Sequence, residues 1–141
     1  MGVKLFHVLA LALATGCGSS LKLVPTGAHR IDQAKAVVVG YPPPPARVEC
    51  VPDQPREECA WLDGTWRWGG RRWQWIPGAW VVPPPDCYHA PAYSQWVSGE
   101  AKDVGARDQL FFFEAKWYAT QGAAACPPPE LCSAAEFGLE C

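Results

Sequence analysis

Two sets of residues in this chain have the types that acid, base or nucleophile chemistry needs. Asp86, Cys87 and His89 bring an acid, a thiol and an imidazole close together. A thiolate nucleophile needs a base within hydrogen-bond reach and a group that orients the base. In an exported chain the simpler reading is that Cys87 is half of a disulfide and His89 lines a Pro-rich loop. Glu57 and Glu58 are the residue type of glycoside hydrolysis, but neighbours in extended chain point to opposite sides. Cys87 and His89 also give two metal ligands in three residues. A zinc site takes four well-spaced ligands, and the sequence has no Cys-x-x-Cys pair. His29 falls in a stretch expected to be a solvated tether. The expectation is a protein that is not an enzyme and holds no metal and no cofactor.

The bulk composition narrows the class further. The 141 residues include 15 Pro, 13 Gly, 8 Trp and 7 Cys, with net charge -2 and 18% charged residues. Such a length suits one domain. The balance provides no basic patch, so no nucleic-acid partner is expected. Charge is too low and aromatics too many for a disordered chain. No apolar run approaches the ~18 residues of a membrane-spanning helix.

Residues 1–16 read as a signal peptide. A positive start with Lys4 precedes an apolar run over 5–14, followed by Ala14, Thr15, Gly16 and Cys17. A charged start, a short apolar stretch and small residues at the cut site mark an export signal. Leu13-Ala14-Thr15-Gly16-Cys17 resembles the lipobox of bacterial lipoproteins, with Ala14 where that family most often has Leu. The resemblance implies cleavage before Cys17 and acylation of Cys17, hence a membrane contact through lipid. Gly18, Ser19 and Ser20 follow with no Asp directly after the Cys. By resemblance to lipoproteins of diderm bacteria, that implies the outer membrane.

Six further cysteines remain: Cys50, Cys59, Cys87, Cys126, Cys132 and Cys141. An even count in an exported chain reads as a disulfide framework, with many possible pairings. Cys59 and Cys87 bracket the Trp-rich segment and are expected to join, leaving Cys50 to pair with a tail cysteine. Residues 17–47 read as a lipid-anchored, Pro-rich tether, in which Ala36, Val37, Val38 and Val39 could be a short strand. Residues 48–119 form the expected domain and 120–141 a Cys-containing tail, with a short helical turn near 129–137.

The densest pattern is aromatic. Trp61, Gly64 and Trp66 recur fourteen residues on as Trp75, Gly78 and Trp80, and more loosely as Phe112, Ala115 and Trp117. Repetition of this kind marks repeated supersecondary units. Trp66 and Trp68, then Trp73 and Trp75, alternate with Arg67 and Gln74, the period of a strand. Gly69-Gly70-Arg71-Arg72 lies between them as a hairpin turn. The pattern predicts that Trp68 faces Trp73, that Trp66 faces Trp75, and that this face packs on residues 110–118. That segment is read either as one strand or as two with a turn at Glu114-Ala115-Lys116.

The segment resembles the YXWGXW repeat of bacterial secreted proteins, best over Trp73-x-Trp75-Ile76-Pro77-Gly78-x-Trp80. That resemblance implies an exported, envelope-associated small β module and brings no active site. The reading is thus an all-β, disulfide-stapled, small antiparallel hairpin or meander, structural or binding in role, at the cell envelope. Its partner would be an envelope glycan or envelope protein. The alternative is a glycan-binding module, for peptidoglycan or surface polysaccharide, that uses exposed Trp rings. Trp61 and Trp80 are expected to be the exposed rings, with Arg67 and Arg71 beside them as ligand contacts.

Overall fold

The computed structural model describes residues 21–99, 107–122 and 124–133. Among them lie ten short strands: β1 (Ala36–Val39), β2 (Ala60–Leu62), β3 (Thr65–Trp68), β4 (Trp73–Ile76), β5 (Ala79–Val82), β6 (Cys87–Ala90), β7 (Tyr93–Val97), β8 (Gln109–Phe113), β9 (Lys116–Ala119) and β10 (Glu130–Ser133). No described residue is helical, and every strand pair is antiparallel. The fold is the all-β, Trp-rich, disulfide-stapled one expected from the sequence.

β2 to β5 form a single hairpin with a break in its middle. Leu62 pairs with Ala79 and Thr65 with Ile76, so one register runs through while two residues on each side leave the ladder. Those residues are Asp63 and Gly64 on one strand, Pro77 and Gly78 on the other. Pro77 has no N–H to give the ladder, which suits a break. At the tip, Gly70 has φ 85°, a conformation that Gly adopts without strain. The expected ring pairs form: Trp66 with Trp75 at 5.1 Å between centroids, Trp68 with Trp73 at 4.9 Å.

β6 to β9 repeat this plan. Ala90 pairs with Lys116 and Tyr93 with Phe113, so again one register skips two residues on each side, Pro91-Ala92 and Glu114-Ala115. Residues 110–118 are therefore two strands, joined by a bend inside a hairpin rather than by a hairpin turn. The correspondence extends to the sequence. Cys59, Trp61 and Gly64 match Cys87, His89 and Ala92, while Trp75, Gly78 and Trp80 match Phe112, Ala115 and Trp117.

Segment 22–27 stitches the two hairpins together at matching positions. The Trp61 N–H donates to the Lys22 carbonyl at 2.7 Å, and the Val24 N–H donates to the Trp61 carbonyl at 3.0 Å. Three residues on, the His89 N–H donates to the Pro25 carbonyl at 2.8 Å, and the Gly27 N–H to the His89 carbonyl at 3.0 Å. Side chains complete the union. Trp73 packs edge-on against Phe112 at 4.7 Å, in a cluster with Val39 and Leu110. Val24, Ala60 and Val81 form a second cluster, against which Trp117 packs. The Trp face thus packs on the 110–118 segment as expected, mainly through Trp73.

Three expectations are corrected. Residues 17–47 are not a free tether from residue 21 onward, because Val24 is buried and β1 pairs with β8. The tail forms strand β10 on the edge of β5, not a helical turn at its start; the rest of 129–137 lies outside the described residues. Cys59 joins Cys132 and Cys87 joins Cys126, so the expected Cys59–Cys87 bridge does not exist. The physical reason is the ladder itself. Each hairpin already holds its own ends together, and Cys59, just before β2, and Cys87, at the start of β6, hold equivalent places whose partner strands β5 and β9 meet the tail. Cys50 is disulfide-bonded as well, while Cys17 and Cys141 lie outside the described residues.

The two described bridges close long loops, with sequence separations of 73 and 39. Replacing either pair by Ala is expected to lower the unfolding free energy by about 4 kcal/mol in the chain-entropy account. Urea unfolding of Cys59→Ala/Cys132→Ala and of Cys87→Ala/Cys126→Ala measures it.

Candidate binding site at the hairpin breaks

The break in the first hairpin is filled by a carboxylate. Glu49 Oε2 accepts the N–H of Gly64 at 3.1 Å, and both its oxygens accept the N–H of Gly78 at 3.0 Å. Oε1 also accepts the indole N–H of Trp75 at 2.9 Å. One side chain therefore satisfies the glycine amide of each repeat copy, at the place where the two strands stop satisfying each other. Hydrogen bonds to an ionised acceptor are the strong ones.

This explains why the small residue of each copy is glycine. A Cβ on Gly78 would lie 2.5 Å from Cζ2 of Trp61 and 2.8 Å from the Leu62 carbonyl. A Cβ on Gly64 would overlap Cζ2 of Trp75 and the Glu49 carboxylate. The first Trp of each copy thus lies over the glycine of the other copy. The repeat spacing is a mutual lock.

The Pro-rich stretch 41–52 is the strap that carries Glu49. Along it, the Tyr41 carbonyl accepts the indole N–H of Trp73, the Pro45 carbonyl that of Trp66, and the Pro52 carbonyl that of Trp80. A polyproline-like strand has no internal hydrogen bonds, so its carbonyls are free to accept. Trp61 instead donates to Oδ1 of Asp63 at 2.9 Å.

Between the two hairpins, at their breaks, lies a cavity of about 360 Å³. Asp63, Thr65, Trp66 and Trp75 line it from the first hairpin; His89, Ala92, Tyr93 and Ser94 line it from the second. Pro43, Pro44 and Ala46 of the strap close one side. Such a volume is at the lower end for small-molecule sites. His89 is a buried polar side chain in this wall, its ring 5.2 Å from that of Trp117. Burial pushes its pKa below the ordinary 6.5, the His29 charge acts the same way, and Asp63 opposes them.

The residues expected to contact a ligand are placed otherwise. Trp61 and Trp80 are each only 2% exposed and form a core cluster with Cys59, so they are not an exposed pair, although Trp61 does line the cavity. The reason is distant chain: the tail's Cys132 packs on this cluster, and the Pro52 carbonyl of the strap takes the Trp80 indole N–H. Arg67 and Arg71 are exposed near the hairpin tip, away from the cavity walls; Arg67 donates to Gln74 Oε1 at 3.2 Å. Among the described residues the most open aromatic ring is that of Trp96 on β7, at 59%. Cys87 is oxidised, so the Cys87–His89 pair has no free thiol. Among the described residues no cluster of three metal-ligating side chains occurs. The sequence reading missed His89, Asp63 and Ser94 as cavity residues. The signal that could have found His89 was its place two residues after Cys87, as Trp61 follows Cys59.

The fold and the site define a small Trp-cored repeat module of two matched hairpins. Residues 60–81, β2 to β5, match the WXXGXW repeat in two copies. No curated protein and no solved structure matches the chain.

Two tests follow from this geometry. Gly64→Ala and Gly78→Ala are each expected to cost about 1–3 kcal/mol of stability as overpacking. Gly40→Ala, where nothing lies within 4 Å of the added Cβ, should be close to neutral. Glu49→Ala leaves three donors without their acceptor and should cost roughly 3 kcal/mol or more. Chemical denaturation of the four variants ranks them. The second test is pH. Unfolded His89 takes up a proton near 6.5, whereas folded His89 resists it, so stability falls as pH drops through 6.5 and levels off below the folded pKa. Melting temperatures between about pH 7.5 and 5 should show the fall, and His89→Gln should flatten it.

Proposed function

We propose that this chain is an exported, lipid-anchored protein of the cell envelope, in the outer membrane of a diderm bacterium. Its WXXGXW module holds shape and binds rather than catalyses. The observation that carries the reading is the oxidised state of Cys59, Cys87, Cys126 and Cys132, together with that of Cys50. Disulfides persist in oxidising compartments and are rare in the cytosol. The charge, apolar run and Gly16-Cys17 pair at residues 1–17 supply the matching address. Lipid on Cys17 would hold the domain at the membrane, since one acyl chain binds only marginally and two or more bind firmly.

Burial of Trp61 and Trp80 moves any binding role away from a row of exposed rings and toward the cavity between the hairpins. Mass spectrometry of the membrane fraction should find a chain that begins at Cys17 and carries a lipid mass. Cys17→Ser should release the chain from that fraction. A product that keeps Met1 and is soluble overturns the proposal.

A further inference from the structure

We propose that the cavity between the two hairpins binds one uncharged sugar ring, a neutral hexose or N-acetylhexosamine unit of a glycan. The inference rests on the envelope reading for its biology but on the cavity alone for its chemistry. The walls combine two kinds of surface. Trp66 and Trp75 are half-buried rings with area left to face a ligand, and Tyr93 is 42% exposed. Asp63, Thr65, His89 and Ser94 put acceptors and donors around them. A pyranose has the same two-sided character, with C–H faces that lie on rings and hydroxyls at its edge.

Charge selects against the other ligand classes. No Lys or Arg is among the described residues that line the cavity, Asp63 supplies a carboxylate, and the lowered pKa keeps His89 neutral near pH 7. A phosphate or carboxylate ligand would be repelled. A wholly apolar ligand would strip water from Asp63 and His89 with nothing in return, which costs free energy. Arg47, outside the lining, already places its guanidinium 5.3 Å from the centre of the Trp66 ring and so takes up part of that ring's capacity for a cation. Asp63 spends Oδ1 on Trp61 and keeps Oδ2 for a ligand hydroxyl. Among the described residues the His89 ring has no hydrogen-bond partner, so its N–H is free for a ligand oxygen.

Calorimetric titration of the full chain, with its disulfides formed, tests the assignment. The probes are glucose, N-acetylglucosamine, their β-1,4-linked dimers, glucuronic acid and tetramethylammonium. Saturable binding is expected for at least one uncharged sugar, and none for glucuronic acid or tetramethylammonium. Asp63→Asn keeps an acceptor for Trp61 and should weaken the sugar about tenfold. Ala46 is an exposed wall residue, so Ala46→Trp should fill the cavity and abolish binding without lowering the melting temperature. Trp96→Ala should change nothing. The assignment is overturned by no uncharged-sugar binding up to about 10 mM, by preference for either charged probe, or by binding that survives Ala46→Trp. Fractionation reads the envelope proposal separately. An exported chain that binds no sugar overturns the ligand alone, and a cytoplasmic chain that binds sugar overturns the location alone.

Discussion

A single carboxylate, that of Glu49, occupies the gap where the Trp hairpin stops pairing with itself. A β-ladder can be interrupted only if its amides find other acceptors. Glu49 takes the amides of Gly64 and Gly78 and the indole of Trp75, so the break costs no unsatisfied donor at those three positions. The glycines follow from it, because a carboxylate and an indole ring must both reach the backbone there. The strap follows as well, because residue 49 has to be delivered to that point by chain that runs along the hairpin. The two-residue skip in the ladder is thus a binding seat for the protein's own side chain.

The second hairpin keeps the same skip with a different filling. Ala92 and Ala115 stand where Gly64 and Gly78 do, and His89 stands where Trp61 does. At this break, His29 Nε2 lies 2.8 Å from the Pro91 carbonyl and Nδ1 lies 3.1 Å from the Tyr118 hydroxyl. The aromatic lock is therefore relaxed on one side of the cavity and intact on the other. That asymmetry leaves a cavity with indoles on one wall and His89, Tyr93, Ser94 and Phe112 on the other.

A small domain with little regular core needs staples. This chain uses three kinds. Segment 22–27 bonds to the backbone at Trp61 and His89, the Pro-rich strap receives indole N–H groups, and the tail closes over both hairpins through Cys132 and Cys126. Each staple joins the first hairpin or the second to chain that is distant in sequence, and the first two also supply residues to the cavity wall.

What the sequence determined by itself was local. The alternation of Trp with Arg67 and Gln74 and the Gly69-Gly70 turn set the register of Trp66 with Trp75 and Trp68 with Trp73, because a two-residue period and a tight turn act between near neighbours. The spacing of Trp61, Gly64 and Trp66 marked a repeat, and the all-β class followed. What only the tertiary structure decided was which distant segments meet. Pro42 to Pro45 looks like a spacer because a proline run has no local partner, yet it belongs to a strap whose Tyr41, Pro45 and Pro52 carbonyls are offered to remote indoles. Trp61 and Trp80 look free because a lone hairpin has an open face, and the tail at Cys132 with the strap at Pro52 covers that face. Cys59 and Cys87 looked like partners because they bracket one segment, whereas pairing depends on where the tail lies in space. His89 is a cavity residue only because the second hairpin sets its break across from that of the first. In each case the deciding contact joins residues far apart in sequence, and periodicity carries no information about those.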